Sequence, residues 1–548
     1  MFFVVSSIVL LLAYVPNFFG AFFIVDDTAL IEIPQLQLPF SWKLIQTLLK
    51  PGIHVDYYPI RDFSYWIDLH LLGARSDGAN SYIFRIQNFV LFLGIGLAIN
   101  IFLNYLTRNR FSSLFFAFLW LLNPFHFEMV WWISARKDLL ALFFFSWSAI
   151  LWIRFQKEDK NWLGFFSLTL FILSLLSKTT FLLVPVALLF MRLIKGNFDR
   201  KIIPLALGAI ICALWGSIQN WQYTVVNDMR FYYPVSYRIQ SSITALGRML
   251  MGVFYWPINS VDLFNWGEWL DLNRSFLPIG CLYWLSIAIG FVVSLRKNDF
   301  LLNSIILFVA CYLPVSGLTF PHRNFYSARY FEGALLVLIV FASLALNRLF
   351  ELYNSRKNIF RFLGMGVCLW SFAGLILESN NWDSNRAILE KSLRVTPGNI
   401  ASQVLLLEEV TNLQRQHQGQ LQDKTLLTRT ERELYTQCLP YLRQKIEKSS
   451  TLCSVFFSHV SALIEEKKKV PGEMGWAIYN DWLESLYAYR THTPIQEVMD
   501  KNWARRVLYG DERRPPPKQP SFFSKEKQRL EWAKAIEKFN SFGETKSF

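Results

Sequence analysis

Apolar blocks of roughly 20 residues, the length at which an α-helix crosses a bilayer, recur from Phe2 to about residue 377 of this chain. Inside hydrocarbon every backbone N–H and C=O must find its partner within the protein, so consecutive blocks of this kind fold as a bundle of helices. Composition agrees: 53% of the 548 residues are hydrophobic and 17% aromatic, more than a water-soluble chain of this length carries. The expected fold class is an all-α polytopic membrane protein. From about residue 378 the pattern changes. The chain becomes charged, holds no block long enough to span, and keeps a helical spacing of its apolar residues. Two parts are expected, a membrane domain over 1–377 and a soluble helical part after it.

Spans are expected at about 2–24, 86–106, 113–131, 138–154, 162–177, 179–194, 202–218, 275–295, 300–318, 330–350 and 361–377, about eleven in all. Residues 241–260 are also apolar enough to cross. Counting them as a span would put Arg296-Lys297 opposite the other basic loops. As a helix lying at the interface, with Arg248 in its middle and Pro257 near its end, they leave the basic loops at 107–110, 154–160, 195–201, 296–297 and 356–357 together on the cytoplasmic side. The loop 25–84, the loop 319–329 and the tail then share the opposite face. Loop 25–84 holds amphipathic pieces, Phe40 to Leu49 and Phe63 to Leu72, of a kind that lies along a membrane surface. The first block has no basic flank and no small-residue cleavage site, so a retained span is expected rather than a removed signal peptide. The net charge of +14 resides largely in short loops beside spans, where it sets orientation, so no nucleic-acid partner is expected.

The tail opens with Asn381-Trp382 and a helix from Ala387 ended by Pro397-Gly398, which resembles the second helix of a tetratricopeptide repeat without a clear second copy. A repeat-like helical domain is expected over 378–510, extracytoplasmic in this topology. A Pro-rich linker, Arg513 to Lys518, and a charged last helix are expected over 511–548. Cys212, Cys281, Cys311 and Cys368 lie in apolar runs as small core residues. Whether Cys438 and Cys453 of the tail pair is left open by the sequence.

Ionisable groups gather where this topology places the extracytoplasmic face. Asp26-Asp27 follow the first span directly, a costly place for two carboxylates unless they are paired, hydrated or used. Arg61 and Asp62 lie in loop 25–84. His126 and Glu128, then Arg136, Lys137 and Asp138, surround the turn after the third block; Lys178 separates the fifth and sixth; His322, Arg323, Arg329 and Tyr330 precede a late span. Each has an ordinary explanation alone: Arg329 as an interfacial anchor, His126 as a satisfied interfacial histidine, Lys178 as the cap of a short turn. Convergence from five loops is harder to explain that way. Carboxylates and cations together beside lipid suit glycosyl transfer from a lipid-linked phosphosugar. A carboxylate takes the proton of the attacking hydroxyl, Arg and Lys stabilise the departing phosphate, and aromatic faces receive sugar and prenyl chain.

Several ordered segments carry a resemblance. Asp26-Asp27; Tyr58-Pro59-Ile60 leading to Ser64, Asp68 and Leu72-Gly73; Asn123 to Glu128 with Ser134 to Leu140; Leu176-Ser177-Lys178; Gly247 to Asp262; Arg329-Tyr330; and Trp382 to Asn399 together resemble the GT-C superfamily of integral-membrane glycosyltransferases. Within it they look closest to the transmembrane and tetratricopeptide-repeat O-mannosyltransferases and their bacterial relatives. The chain departs from that pattern at Asn123, where the family has histidine, at Arg61, which follows the proline instead of preceding it, and at Thr179, where the family has an acid.

The resemblance implies a GT-C-type bundle and an inverting transferase that moves a mannose-like hexose from a polyprenyl-phosphate donor to a hydroxyl of an extracytoplasmic acceptor, protein or glycan. It implies Asp26 as general base with Asp27 orienting the acceptor or acting in its place. Arg136, Lys178, Arg323 and Arg329 would face the donor phosphate, and Arg61, His126, Glu128, Asp138, His322 and Tyr330 would shape the sugar and acceptor pocket. No cofactor is expected; the acidic pair can hold a divalent cation, as in oligosaccharide-transferring relatives, but two adjacent carboxylates alone do not favour it. The expected place is the plasma (inner) membrane, multi-pass, with the site and tail extracytoplasmic or periplasmic, and an endoplasmic-reticulum membrane as the alternative. Competing functions are a transferase acting on lipid or cell-wall glycan, a transporter, and a non-catalytic scaffold for the tail. A transporter would carry its charges near the bilayer midplane.

Overall fold

The computed structural model describes residues 2–20, 27–31, 33–50, 57–76, 78–194, 200–226, 235–261, 269–297, 299–318, 325–352, 357–396 and 402. Asp26, His322, Arg323, Cys438, Cys453, the repeat-like tail beyond 402, the Pro-rich linker and the last helix lie outside the described residues. Among the described residues all regular structure is helical. In chain order the helices are α1 (Phe2–Phe18), α2 (Asp27–Ile31), α3 (Trp42–Leu48), α4 (Pro59–His70), α5 (Tyr82–Thr107), α6 (Arg110–Leu122), α7 (Phe127–Trp131), α8 (Arg136–Glu158) and α9 (Asn161–Ser177). They continue as α10 (Val184–Ile194), α11 (Ile203–Val226), α12 (Val235–Phe254), α13 (Trp269–Leu272), α14 (Leu277–Lys297), α15 (Asp299–Tyr312), α16 (Glu332–Leu352), α17 (Lys357–Ser379) and α18 (Asn385–Val395).

Among the described residues four segments are long and apolar enough to cross a membrane: Tyr82–Thr107, Ile133–Glu158, Arg274–Leu295 and Ala328–Leu349. The number rises to six if each of two bent pairs is one span. Along α14 the side chains of Leu282, Leu285, Ile289, Val292 and Val293 are exposed, and α11 exposes Leu207, Ile210, Ile211 and Leu214. Apolar ridges of this extent belong in lipid, and the protein is a multi-pass membrane protein.

Two breaks decide where side chains go. The block expected as one span over 113–131 stops at Leu122. Asn123 ends α6, its Oδ1 accepts the Phe125 N–H at 3.0 Å, and Pro124 opens a 3₁₀ turn, so the chain turns by 49° into α7. Proline has no N–H to continue the α6 ladder, and asparagine supplies the cap that starts the next turn. At Lys178 the backbone becomes extended, with φ −166° and ψ 143°, and the chain bends by 118° into the segment leading to α10.

Loop 25–84 has a small core of its own. Ile31, Leu36, Leu44, Leu48, Tyr65, Trp66 and Phe84 pack together with Ile133. Ser41 caps α3 by accepting the Leu44 N–H at 3.2 Å, and Trp66 Nε1 donates to the Leu38 carbonyl at 2.8 Å. Elsewhere α12, which is not among the helices apolar enough to span, lies backbone to backbone against α14: a Cβ on Gly247 would overlap the Phe276 carbonyl, and one on Gly280 the Ile243 carbonyl. Only glycine permits so close an approach. Arg248 of α12 is fully buried, donates to Asn273 at 2.7 Å and Ser260 at 2.6 Å, and lies 4.1 Å from the Tyr326 ring centre.

The chain divides into two compact units. The first holds Met1–Trp221, Val235–Val261 and Asn273–Lys391; the second holds Gln222–Pro234, Asp262–Leu272 and Ser392–Phe548. In the second, the Ser392 and Ser402 hydroxyls meet at 2.8 Å. All that follows concerns the first.

Candidate active site

The breaks after α6 and α9 turn charged residues inward, and loop 25–84 adds others. Glu128, on the first turn of α7, is fully buried in a ring of donors. Its Oε2 accepts the Ala328 N–H at 2.9 Å, its Oε1 accepts the Ser327 hydroxyl, and the Arg329 guanidinium lies 3.2 Å from Oε1. Arg329 also reaches Asp138 Oδ2 at 3.7 Å and lies over the Trp132 ring at 3.9 Å from its centre. Asp138, on the first turn of α8, accepts the Lys178 ammonium, which in turn lies 4.5 Å from the Tyr330 ring centre. His126 Nδ1 meets Glu332 Oε1 at 2.7 Å. Asp27 is fully buried and its Oδ1 accepts the Ser134 N–H at 2.9 Å, which brings the end of the first block to the start of α8.

Of the residues singled out in the sequence, Glu128, Asp138, Lys178, Arg329 and Tyr330 therefore form one connected cluster, His126 lies two residues from its edge, and Asp27 touches the turn before Asp138. Glu128 and Asp138 balance Arg329 and Lys178 in charge. Taking such ions out of water costs several kcal/mol each (roughly), so a cluster of this kind is a poor way to stabilise a fold. Buried, mutually perturbing charges of this sort make the cluster the candidate site.

Arg136 and Arg61 are placed differently. The Arg136 guanidinium is fully buried and turns away from the cluster. It donates to Asp68, Gln87, Asn88 Oδ1 at 2.7 Å and the Phe84 carbonyl at 2.6 Å, binding α4 and α5 to α8. Asn88 in turn holds the Val130 carbonyl at 3.2 Å. Burial pushes the Asp68 carboxyl up, while the charge and hydrogen bond of Arg136 pull it back. Arg61 Nε donates to Asp62 at 2.8 Å, and its guanidinium lies 5.3 Å from the Tyr58 ring centre. The Tyr65 hydroxyl, which donates to the Ile133 carbonyl at 2.9 Å, is pushed up by burial. Arg61 and Arg136 lower it and Asp27 and Asp62 raise it, so these four charges share its neighbourhood.

Glu332 was not singled out from the sequence. It opens α16 three residues after Arg329, a carboxylate at the start of an apolar block just as Asp138 is, and that position was the available signal. Ser327 and Asn88 carried no such signal. Among the described residues no three His, Cys, Asp or Glu side chains gather as a metal site would need. Chemically the cluster offers carboxylates able to take a proton and cations able to hold an oxyanion, with Trp132 and Tyr330 as apolar faces beside them.

No protein-family model and no curated protein sequence matches the chain. Among solved structures it is similar to the Archaeoglobus fulgidus oligosaccharyltransferase tethered to an acceptor peptide, at 14% identity and a TM-score of 0.39. That match covers 74% of this chain and 57% of the archaeal one.

Proposed function

We propose that the protein is an inverting membrane glycosyltransferase that takes a sugar from a polyprenyl-phosphate donor. The observation that carries the proposal is the buried meeting of Glu128, Asp138, Lys178 and Arg329, contributed by four separate segments next to the ends of apolar helices. In this reaction the acceptor hydroxyl oxygen attacks the anomeric carbon from the face opposite the phosphate. The bond from that carbon to the phosphate oxygen breaks, its electron pair stays on the phosphate, and the hydroxyl proton passes to a carboxylate. Asp26 or Asp27 takes that proton. Arg329 and Lys178 hold the phosphate, each exchanging part of its contact with Glu128 or Asp138 for the new anion. Arg136, whose donors are occupied by Asp68, Gln87, Asn88 and Phe84, acts as a brace for α8 and not as a phosphate ligand. A mannose-like hexose, an extracytoplasmic protein acceptor and a plasma-membrane location complete the proposal.

The test is transfer of radiolabel from a panel of polyprenyl-phosphate monosaccharides by the purified protein in detergent, beside the Asp26→Asn/Asp27→Asn double variant. Label reaching acceptor or water with wild type alone is the expected result and names the sugar. Equal transfer by both proteins, or none from any donor, would sink the proposal.

A further inference from the structure

We infer that Glu332 is a positioning residue. Its pairing with His126 sets the turn that carries Arg329 against the segment that carries Glu128. The activity arm of the test below rests on the glycosyl-transfer proposal; the structural arm does not.

Two short buried segments cross here, Pro124–Glu128 and Ser327–Glu332. At one end they are tied through Glu128, which accepts Ser327 and the Ala328 N–H and pairs with Arg329. At the other they are tied through His126 Nδ1 and Glu332 Oε1, 2.7 Å apart. Arg329 sits between the ties, in the 3₁₀ turn Ala328–Phe331 that runs into α16. Residues three apart at a helix start share a face, so the anchor at Glu332 fixes the rotation of the turn from which Arg329 projects.

The second tie has one hydrogen bond among the described residues, beside the packing of the Phe125 ring on that of Phe331 at 6.1 Å between centres. His126 is fully buried, its ring 4.2 Å from that of Trp120 and 5.5 Å from that of Phe92. Among the described residues His126 Nε2 and Glu332 Oε2 are buried without a hydrogen-bond partner, so the Nδ1–Oε1 contact is the one hydrogen bond of either side chain there. Glu128 by contrast has three donors. A joint with one hydrogen bond loosens more when that bond is lost than one held by three donors. Breaking it leaves Glu128, Ser327 and Ala328 in place but lets the Arg329–Phe331 end of the turn move, and with it the guanidinium over Trp132. Displacements of this size, about an ångström, are large for a group that must meet a developing anion.

The experiment compares wild type, Glu332→Gln, Glu332→Asp, His126→Gln and the Glu332→Gln/His126→Gln double variant as full-length chains in detergent. Hydrogen–deuterium exchange in the peptide covering 325–332 reports the Tyr330 N–H, which the turn bonds to the Ser327 carbonyl at 3.0 Å. Donor titrations report half-saturation and turnover separately. Each single variant is expected to speed exchange in 325–332 by about tenfold, with the α5 and α8 peptides unchanged. Donor half-saturation is expected to rise by about tenfold with turnover within about threefold. The double variant is expected to match the singles, because both break one joint. The short Glu332→Asp side chain keeps the charge but not the reach, and decides the matter if the Gln variants do not fold. Wild-type exchange at 325–332 in the single variants would overturn the inference, as would a double variant whose effect is the product of the singles. If wild type turns over no donor, the transfer proposal fails and the exchange arm alone decides this one.

Discussion

Arg136 and Arg329 are both buried, both stand at the approach to a spanning helix and both lie against aromatic rings. Arg136 is 5.1 Å from the Tyr65 ring centre and Arg329 is 3.9 Å from that of Trp132. Their polar surroundings differ. Arg136 is met by one carboxylate, two side-chain amide oxygens and a backbone carbonyl, which use all three of its nitrogens and join three helices. Arg329 faces two carboxylates, Glu128 and Asp138, at 3.2 and 3.7 Å, and Asp138 is shared with Lys178. The first arrangement is a fixed brace made mostly of neutral acceptors. The second is an alternating row of charges whose contacts an incoming anion can rearrange. Burial alone therefore does not tell the two arginines apart; what accepts their hydrogen bonds does.

Lysine substitutions separate the two most strongly. Arg136→Lys keeps the charge but cannot reach four acceptors in three directions. It is expected to lose about 3 kcal/mol of stability, the low end of what breaking a buried ion pair costs, read as a lower unfolding midpoint in detergent. Arg329→Lys retains a cation between Glu128 and Asp138. It is expected to lose about 1 kcal/mol for the ring contact but to slow transfer by roughly a hundredfold, as removal of one anion-stabilising donor does. A stability loss in Arg329→Lys equal to that in Arg136→Lys would erase the distinction. Gly247→Ala, one residue before Arg248 on α12, controls for disturbance of the bundle as such. Its methyl meets the Phe276 carbonyl just ahead of α14, so a loss of roughly 1–3 kcal/mol is expected, with turnover per folded molecule falling less than in Arg329→Lys.

Much of this was legible in the sequence because it depends on residue type and position along the chain. The apolar blocks located the long helices, and Asn123-Pro124 carried the signal for the break after α6, although hydropathy alone reads 113–131 as one block. The charged residues at block ends named most members of the cluster. Pairing was not legible. Arg136 and Arg329 have similar local sequence contexts, each near an aromatic residue and ahead of an apolar block. Only the crossing of α4 and α5 beside Arg136, and of the Ser327–Glu332 segment beside Glu128, decides their partners. Glu332 escaped notice for the same reason: a single glutamate opening a helix is common, and its meaning comes from His126, 206 positions away.

The most direct measurement is the initial rate of sugar transfer from the preferred polyprenyl-phosphate donor by wild type, Arg329→Lys and Arg136→Lys, each normalised to its folded fraction. The account predicts a fall of roughly a hundredfold for Arg329→Lys and a rate near that of wild type for the folded part of Arg136→Lys. Wild-type turnover by Arg329→Lys would contradict it, and the charge cluster would then not be a transferase site.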